Sequence, residues 1–225
     1  YKPGYMFRNL GNDKIYYNDQ IIRLLQNYRS AYMQLAVTYY MDYQKEQRKK
    51  VPDTYLLADL SSKSVAVLDQ MRFNIPEGTI PITSADLHYQ VARLYGDLNR
   101  KDSMEDILED LIEMEGVSPS SKVEYANVYY RELDNSEMAV NILSDLQNEY
   151  SKVENIIKVK GFSSISNRSW KSWQKAFPDI VSSLVYIYKT TNQNNEAEQV
   201  LVDWILRFPD DTNAKKLLEE VRSLD

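Results

Sequence analysis

The sequence contains no cysteine, and its only histidine is His88. The absence of cysteine excludes a disulfide, a thiolate nucleophile and a cysteine-ligated zinc ion. With a single histidine, a metal site would need carboxylates for nearly all of its other ligands, and a nucleophilic triad could be built only around His88. We therefore predict no catalytic residue, no metal ligand and no cofactor. We expect His88 to lie on a helix, in a packed or a solvent-edge position.

Glycine and proline are also scarce, with six and seven residues. These are too few for the many tight turns of a β-rich fold, and the glycines never cluster into a phosphate-binding loop. The longest nearly apolar stretch, residues 31–41, is too short and too polar to cross a bilayer. The composition predicts an all-α fold with no transmembrane span in this segment.

Charge is distributed in blocks along the chain, although the net charge is only −6. Residues 1–50 carry nine basic and four acidic side chains, residues 101–150 carry three and thirteen, and residues 151–175 carry six and one. In the acidic block "KDSMEDILEDLIEMEG" the helical phase turns the carboxylates outward, which is typical of a solvated face rather than of a catalytic carboxylate pair. We predict no nucleic-acid partner.

One spacing of nine residues recurs in the chain. It runs from a tyrosine late in one apolar segment to a small or apolar residue early in the next, and these two positions are called the nine-residue frame. The spacing separates Tyr95 from Met104, Tyr130 from Ala139, and Tyr188 from Ala197. The last pair is followed by Leu201, Trp204 and Pro209, which is the order found in tetratricopeptide repeats. The pattern predicts a right-handed solenoid of tetratricopeptide-like helical hairpins with insertions.

The predicted boundaries treat residues 1–225 as a single repeat domain. The expected units are 20–75, 84–116, 120–150 and 177–210, with a basic insert at 151–175 and a capping helix at 212–224. Ser84 and Thr212 are expected to cap helices, because their side-chain oxygens can accept hydrogen bonds from first-turn amides. Met104 occupies a position where the repeat normally has alanine.

Tyrosine is unusually abundant, with 18 residues against five phenylalanines. A solenoid holds its ligand on the wall formed by the first helix of each unit. The frame places the following residues on that wall: Val37, Tyr40, Tyr89, Arg93, Val128, Arg131, Tyr186 and Lys189. Tyrosine rings offer contact area and the basic residues can bind carboxylates, so we predict a protein or peptide partner here.

The basic insert interleaves cations with aromatic residues, among them Trp170 and Trp173. Such a mixture could stack sugars or bases, bind a partner, or lie at an anionic membrane surface through residues 156–177. The competing interpretation is that the tryptophans only anchor an inserted helix on the repeats while the lysines face water. Whether the insert is functional or structural stays open at this point.

Three segments resemble one bacterial family: "YKPGYMFRNLGNDKIYYNDQIIRLLQNYRSAYMQLA", "SVAVLDQMRFNIPEGTIPI" and "LHYQVARLYGD". They are similar to the C-terminal tails of multi-pass membrane proteins of the protein O-mannosyltransferase-like family, over residues 1 to about 100. The resemblance implies a membrane-embedded glycosyltransferase-like half, followed by a helical repeat domain on the periplasmic side. Any catalytic carboxylates would then belong to the membrane half.

These observations predict a non-catalytic interaction and scaffolding domain, cut from a longer protein tethered to the inner membrane. Its partner would be a protein or peptide, including the membrane half of its own chain. Two alternatives remain. One is a free-standing cytoplasmic repeat adaptor, and the other is a helical domain that binds or processes glycans through its Tyr- and Trp-rich surface.

Overall fold

Side-chain caps determine where most helices of this chain begin. In the computed structural model, which describes residues 9–223, the side chains of Asn18, Asp53, Ser84, Ser118, Asn135, Ser166 and Asp211 each accept a hydrogen bond from a first-turn amide. Ser84 caps its helix as predicted. The last helix is capped by Asp211, one residue before the predicted Thr212.

The described residues form α-helices joined by short connections, with no strand among them. The helices are α1 (Asp19–Gln47), α2 (Thr54–Asn74), α3 (Ala85–Asp97), α4 (Lys101–Glu113), α5 (Pro119–Arg131), α6 (Ser136–Lys160), α7 (Asn167–Thr190), α8 (Asn194–Arg207) and α9 (Thr212–Arg222). A 3₁₀ turn, Phe162–Ser164, lies between α6 and α7. The prediction of an all-α fold is confirmed.

The chain divides into two compact units, with the boundary between Leu111 and Ile112 inside α4. The predicted repeat unit 84–116 therefore straddles this boundary. Two predictions extend beyond the described residues. The stretch "YKPGYMFR", which carries part of the family resemblance, and the final residue of the predicted capping helix, Leu224, both lie outside them.

In the first unit, α1 and α2 pack together as a long antiparallel hairpin. Small residues lie where the two helices cross: Ala36 and Ser64 are fully buried, and the Ser64 hydroxyl donates a 2.9 Å hydrogen bond to the Ala36 carbonyl. Because neither side chain holds the backbones apart, the helices approach closely and the serine hydroxyl still has a partner. The predicted second helix, Ser64 to Met71, is the C-terminal part of α2.

The connector between α2 and α3 is fastened by one buried cation. Arg29 of α1 is 1 % exposed and donates from Nη2 to the carbonyls of Ile75, at 2.9 Å, and of Ile80. Its Nη1 donates to the Pro81 carbonyl at 3.2 Å. The planar guanidinium can serve several acceptors at once, so one side chain satisfies connector carbonyls that no helix could satisfy.

The second unit contains α5 to α9. α5 packs against both α6 and α7, α6 packs against α7, α7 packs against α8, and α8 packs against α9. The first helices of two successive hairpins, α5 and α7, are therefore neighbours. The predicted insert 151–175 does not form a separate helix, because residues 151–160 continue α6 and residues 167–175 begin α7.

Three hairpin turns share one backbone feature. Asn99, Asp134 and Asn192 have positive φ angles of 60°, 57° and 58°, and each lies four residues after the aromatic residue of the nine-residue frame. Asn and Asp tolerate this left-handed conformation better than most residues.

The next residue in each turn immediately precedes the second helix. Its carbonyl accepts a hydrogen bond of 3.1 to 3.2 Å from the frame residue Met104, Ala139 or Ala197. The frame found in the sequence therefore corresponds to one repeated backbone arrangement.

Gly96 explains why Met104 is tolerated where the other two hairpins have alanine. A Cβ added at position 96 would overlap the Sδ of Met104, which is itself 1 % exposed. The frame positions equivalent to Gly96 are Arg131 and Lys189, in the two hairpins whose second helix has alanine where α4 has Met104. A glycine on the first helix thus makes room for a larger residue on the second.

We predict that Asn192→Ala lowers the free energy of unfolding of the second unit by about 1 kcal/mol, because alanine is strained at positive φ. Asn192→Gly should be neutral or stabilising, since glycine adopts this conformation without a Cβ clash. Denaturant unfolding followed by circular dichroism measures both effects. The control is Asn195→Ala at an exposed position inside α8. Equal losses for Asn192→Ala and Asn192→Gly would contradict the prediction.

Candidate functional site

In the first unit, the structure joins two predicted wall residues through a shared carboxylate. The Tyr40 hydroxyl of α1 donates to Asp97 Oδ2 of α3 at 2.7 Å, and Arg93 Nη2 lies 3.8 Å from Asp97 Oδ1. Partial burial and the Asp97 carboxylate raise the pKa of Tyr40 above its ordinary value. Tyr89, one turn before Arg93 on α3, is half-buried. The first helices α1 and α3 thus present one polar aromatic surface.

The second unit has an equivalent surface on α5 and α7. Tyr186 is 54 % exposed and meets Tyr130 edge-to-face at a centroid distance of 5.8 Å. The Tyr130 hydroxyl donates to Thr190 Oγ1 at 2.7 Å. Arg131, next to Tyr130, is exposed, whereas Lys189 lies 3.6 Å from Glu220 of α9. An exposed ring and a cation therefore lie on adjoining first helices.

Val128 is a correction to the predicted wall, because its side chain is buried. Position 128 points into the contact between α5 and its neighbours. Helical periodicity in the sequence does not distinguish this buried position from an exposed one. Val37, the other aliphatic residue of the predicted wall, is exposed. The wall of the second unit is consequently tyrosine and basic residues rather than a continuous apolar strip.

Trp170 and Trp173 occupy different environments, although they are three residues apart on α7. Trp173 is buried, with 9 % of its surface exposed, and Trp170 is half-buried. Both contact Tyr150 of α6, Trp170 as an offset stack at 5.8 Å and Trp173 edge-on at 6.5 Å. Trp173 is therefore mainly a packing residue, while Trp170 also borders open space.

That space is a cleft of about 740 Å³ in the second unit, with α6, α7 and α8 contributing to its walls. Its aromatic lining is Tyr150, Trp170, Phe177, Trp204 and Phe208. At its base Tyr150 and Phe177 stack with centroids 3.7 Å apart and planes 9° apart. Pro178, inside α7, also lines the cleft and has no N–H to donate to the Gln174 carbonyl.

Arg207 brings charge to this aromatic cleft. Its guanidinium lies 5.2 Å from the Phe177 ring centroid, and its Nε lies 3.7 Å from Glu154 Oε2. Burial, and after it the charge of Glu154, raises the pKa of Tyr150, and Arg207 acts in the opposite direction. The sequence offered no sign of Arg207, because its contacts lie on helices that precede it by 30 residues or more. The cleft can hold a flat or apolar group beside Glu154 and the two cations that contact it, Arg207 and Lys158.

A second polar cluster lies in the first unit, where His88 is buried; the sequence alone leaves a packed and a solvent-edge position open for this histidine. His88 Nε2 lies 2.9 Å from Glu77 Oε2, and with Asp110 they form a group whose possible ligand atoms are within 4.8 Å of one another. The group could supply one nitrogen and two oxygens to a metal. However, Arg72 Nε already lies 3.3 Å from Glu77 Oε1, and a neighbouring cation opposes metal binding. The arrangement favours an ion-pair cluster that ties the connector to α3.

The electrostatics of Glu77 agree with that structural role. Burial, the largest single influence, acts to raise its pKa, but contact with His88 and the charges of Arg72 and Arg29 together hold the pKa below the ordinary value. Burial in turn lowers the pKa of Arg29, and the charge of Glu77 opposes this shift. The carboxylate and the buried guanidinium therefore stabilise each other's charged form.

Comparison with known proteins adds no assignment. No known protein family has a model that matches the chain, and a search of curated proteins finds no similar sequence. Among residues 9–223, no helix is both long and apolar enough to cross a bilayer, as the composition predicted.

We predict that the stability of the protein relative to a Glu77→Gln variant depends on pH. The pKa of Glu77 is lowered on folding, so the wild-type advantage is fully present above the ordinary value of 4.5. It should shrink as the pH falls through the lowered, folded-state pKa. Urea unfolding at about pH 7 and about pH 3 measures the difference. A difference that is the same at both pH values would contradict the role of Glu77.

We also predict unequal costs for the two tryptophans. Trp173→Ala should lower the free energy of unfolding by about 3–5 kcal/mol, because a buried aromatic leaves a cavity. Trp170→Ala should cost less than half of that, since part of its ring already faces water. Trp170→Phe, which keeps an aromatic ring against Tyr150, is the control and should cost least. Equal losses for the two alanine variants would show that Trp170 is a core residue.

Proposed function

We propose that this chain is a non-catalytic interaction and scaffolding domain, built from tetratricopeptide-like hairpins, that holds an extended protein segment. The observation that carries the proposal is the pairing of exposed tyrosine and arginine on adjoining first helices, α5 and α7. Tyr186 and Arg131 are exposed on these two helices, and the Tyr130 ring contacts the Tyr186 ring edge-on.

The recurring hairpin geometry supports the repeat part of the proposal. Asn99, Asp134 and Asn192 take the same left-handed conformation at the same frame position in three hairpins. In the second unit, the first helices α5 and α7 pack side by side, as they would in a stack of repeats. A repeated first helix gives a partner a row of similar side chains rather than one deep pocket.

The chemistry of the wall favours an acidic, partly apolar peptide. A tyrosine ring such as that of Tyr186 gives contact area at a low cost in side-chain entropy, and the Arg131 guanidinium can take a carboxylate in a bidentate manner. Lys189 contributes less to the binding of a carboxylate, because it already forms an ion pair with Glu220. An extended peptide would therefore place an acidic residue at Arg131 and an apolar one against Tyr186.

For the whole protein, we extend the proposal to the tail of a membrane-bound, glycosyltransferase-like protein. The family resemblance of residues 1 to about 100 supports this, and the tail would then lie on the periplasmic side. The full-length gene provides the test: hydrophobic spans encoded upstream of Tyr1 support the tail, and a gene that starts just before Tyr1 favours a free-standing cytoplasmic adaptor.

The wall is tested by panning a random peptide library on the immobilised chain and measuring the affinity of the selected peptides. We expect selected peptides to carry Asp or Glu beside an apolar residue, and Arg131→Ala/Tyr186→Ala to weaken binding at least about tenfold. The matched control is Lys50→Ala/Tyr55→Ala, which removes an exposed cation and tyrosine outside the wall. All variants must keep the wild-type circular dichroism spectrum and unfolding midpoint.

Two results would count against the peptide-binding wall. One is that no peptide is selected over background. The other is that the wall variant and the control variant bind the selected peptides equally well, which would place the binding site elsewhere. If Trp170→Ala alone abolished binding, the cleft rather than the wall would be the ligand site, and the glycan-binding alternative would gain support.

A further inference from the structure

The hairpin formed by α6 and α7 is longer than the helices beside it. α6 has 25 residues and α7 has 24, whereas α5 has 13 and α8 has 14. The excess of 12 residues in α6 over α5 corresponds to about 18 Å of helix. The end of this hairpin, residues 156–171, is here called the tip. Of its residues, Lys158 and Trp170 line the cleft, and the others have no place in the wall or the cleft.

Large apolar side chains are exposed at the tip. Ile156, Val159 and Phe162 are 40 %, 74 % and 68 % exposed, and they follow one another at steps of three residues along α6 and into the turn. That spacing places Ile156 and Val159 on the same side of the helix. Ile157, between them in the sequence, is buried. Apolar residues gathered at one exposed end of a hairpin mark a contact surface.

Exposed cations lie in the same segment of the chain as these apolar residues. Lys160, Arg168 and Lys171 are exposed, and within the described part of the chain no ion pair involves any of them. Lys158 is the exception, with Glu154 at 3.2 Å. Residues 151–175 contain six basic residues and one acidic residue, in a chain whose net charge is negative. The local charge is therefore opposite in sign to that of the whole chain.

We infer that the tip binds the surface of an anionic lipid bilayer, with Val159 and Phe162 inserted among the headgroups and the cations placed at the lipid phosphates. Amphipathic elements that combine basic residues with exposed Phe or aliphatic residues bind in this manner. Each Lys or Arg near an anionic surface adds to the attraction. The acidic side chains elsewhere oppose it only weakly, because salt screens charges beyond about 8 Å.

The apolar residues distinguish a bilayer from a soluble polyanion. A nucleic acid or a sulfated glycan would satisfy Lys160, Arg168 and Lys171 but would leave Val159 and Phe162 in water. A bilayer interface accommodates both groups at once, since phosphates and acyl chains lie within a few ångströms of each other. This inference is independent of the peptide-binding wall, which lies on other residues.

The test is co-sedimentation of the chain with vesicles of phosphatidylcholine alone and of phosphatidylcholine mixed with phosphatidylglycerol. We expect binding to the mixed vesicles only, weakening as salt is raised. Lys160→Glu/Lys171→Glu should reduce the affinity at least about tenfold. Val159→Ser/Phe162→Ser, which keeps every charge, should also reduce it at least about tenfold. Lys215→Glu/Lys216→Glu, a matched charge reversal on exposed residues of α9, should bind like the wild type.

Three outcomes would overturn the inference. The first is that wild type binds neither kind of vesicle. The second is that Val159→Ser/Phe162→Ser binds as tightly as wild type, which would reveal a purely electrostatic surface of the kind that takes a soluble polyanion. The third is that the α9 control loses as much affinity as the tip variants. The circular dichroism spectrum of each variant shows that it is folded, so a loss of binding reports on the surface and not on unfolding.

Discussion

Three hairpins in this protein, α3–α4, α5–α6 and α7–α8, share the same two local conditions. One residue in the turn must adopt a left-handed conformation, and the side chains where the helices cross must leave room for each other. Asn99, Asp134 and Asn192 meet the first condition. Ala139 and Ala197 meet the second condition. In the remaining hairpin the second helix has Met104, and Gly96 on the first helix leaves room for it. Tyr130 and Tyr186 meet because the first helices α5 and α7 pack side by side.

Features that depend on local spacing could be predicted from the sequence. The all-α class, the positions of the turns and the nine-residue frame all follow from contacts between residues close in the chain. Features that depend on distant partners could not. The backbone carbonyls that accept from Arg29 lie 46 to 52 residues further on, and nothing near position 29 in the sequence indicates a buried cation. Likewise, helical periodicity alone did not separate the buried Trp173 from the half-buried Trp170.

Composition alone identified the basic segment 151–175, but it did not show which helices contain the segment. Its length suggested an insert between repeats, but the residues lengthen α6 and α7 instead. This lengthening accounts for the chemistry of the second unit. It brings Tyr150 against Phe177 and under Arg207, which forms the cleft, and it carries Val159 and Phe162 to an exposed end. The cleft and the tip thus both belong to one extended hairpin, and α7 also contributes Tyr186 to the wall.

The fit between Gly96 and Met104 limits how this hairpin can change over evolutionary time. If a larger residue appeared at position 96 first, its side chain would clash with Met104. Each intermediate sequence must still fold. Shortening position 104 to alanine first leaves a cavity, which a domain of sufficient stability can tolerate. Only then can position 96 accept a long side chain like the arginine and lysine of the other two hairpins. The order of substitution is therefore constrained, and we expect the two positions to vary together among descendants of this sequence.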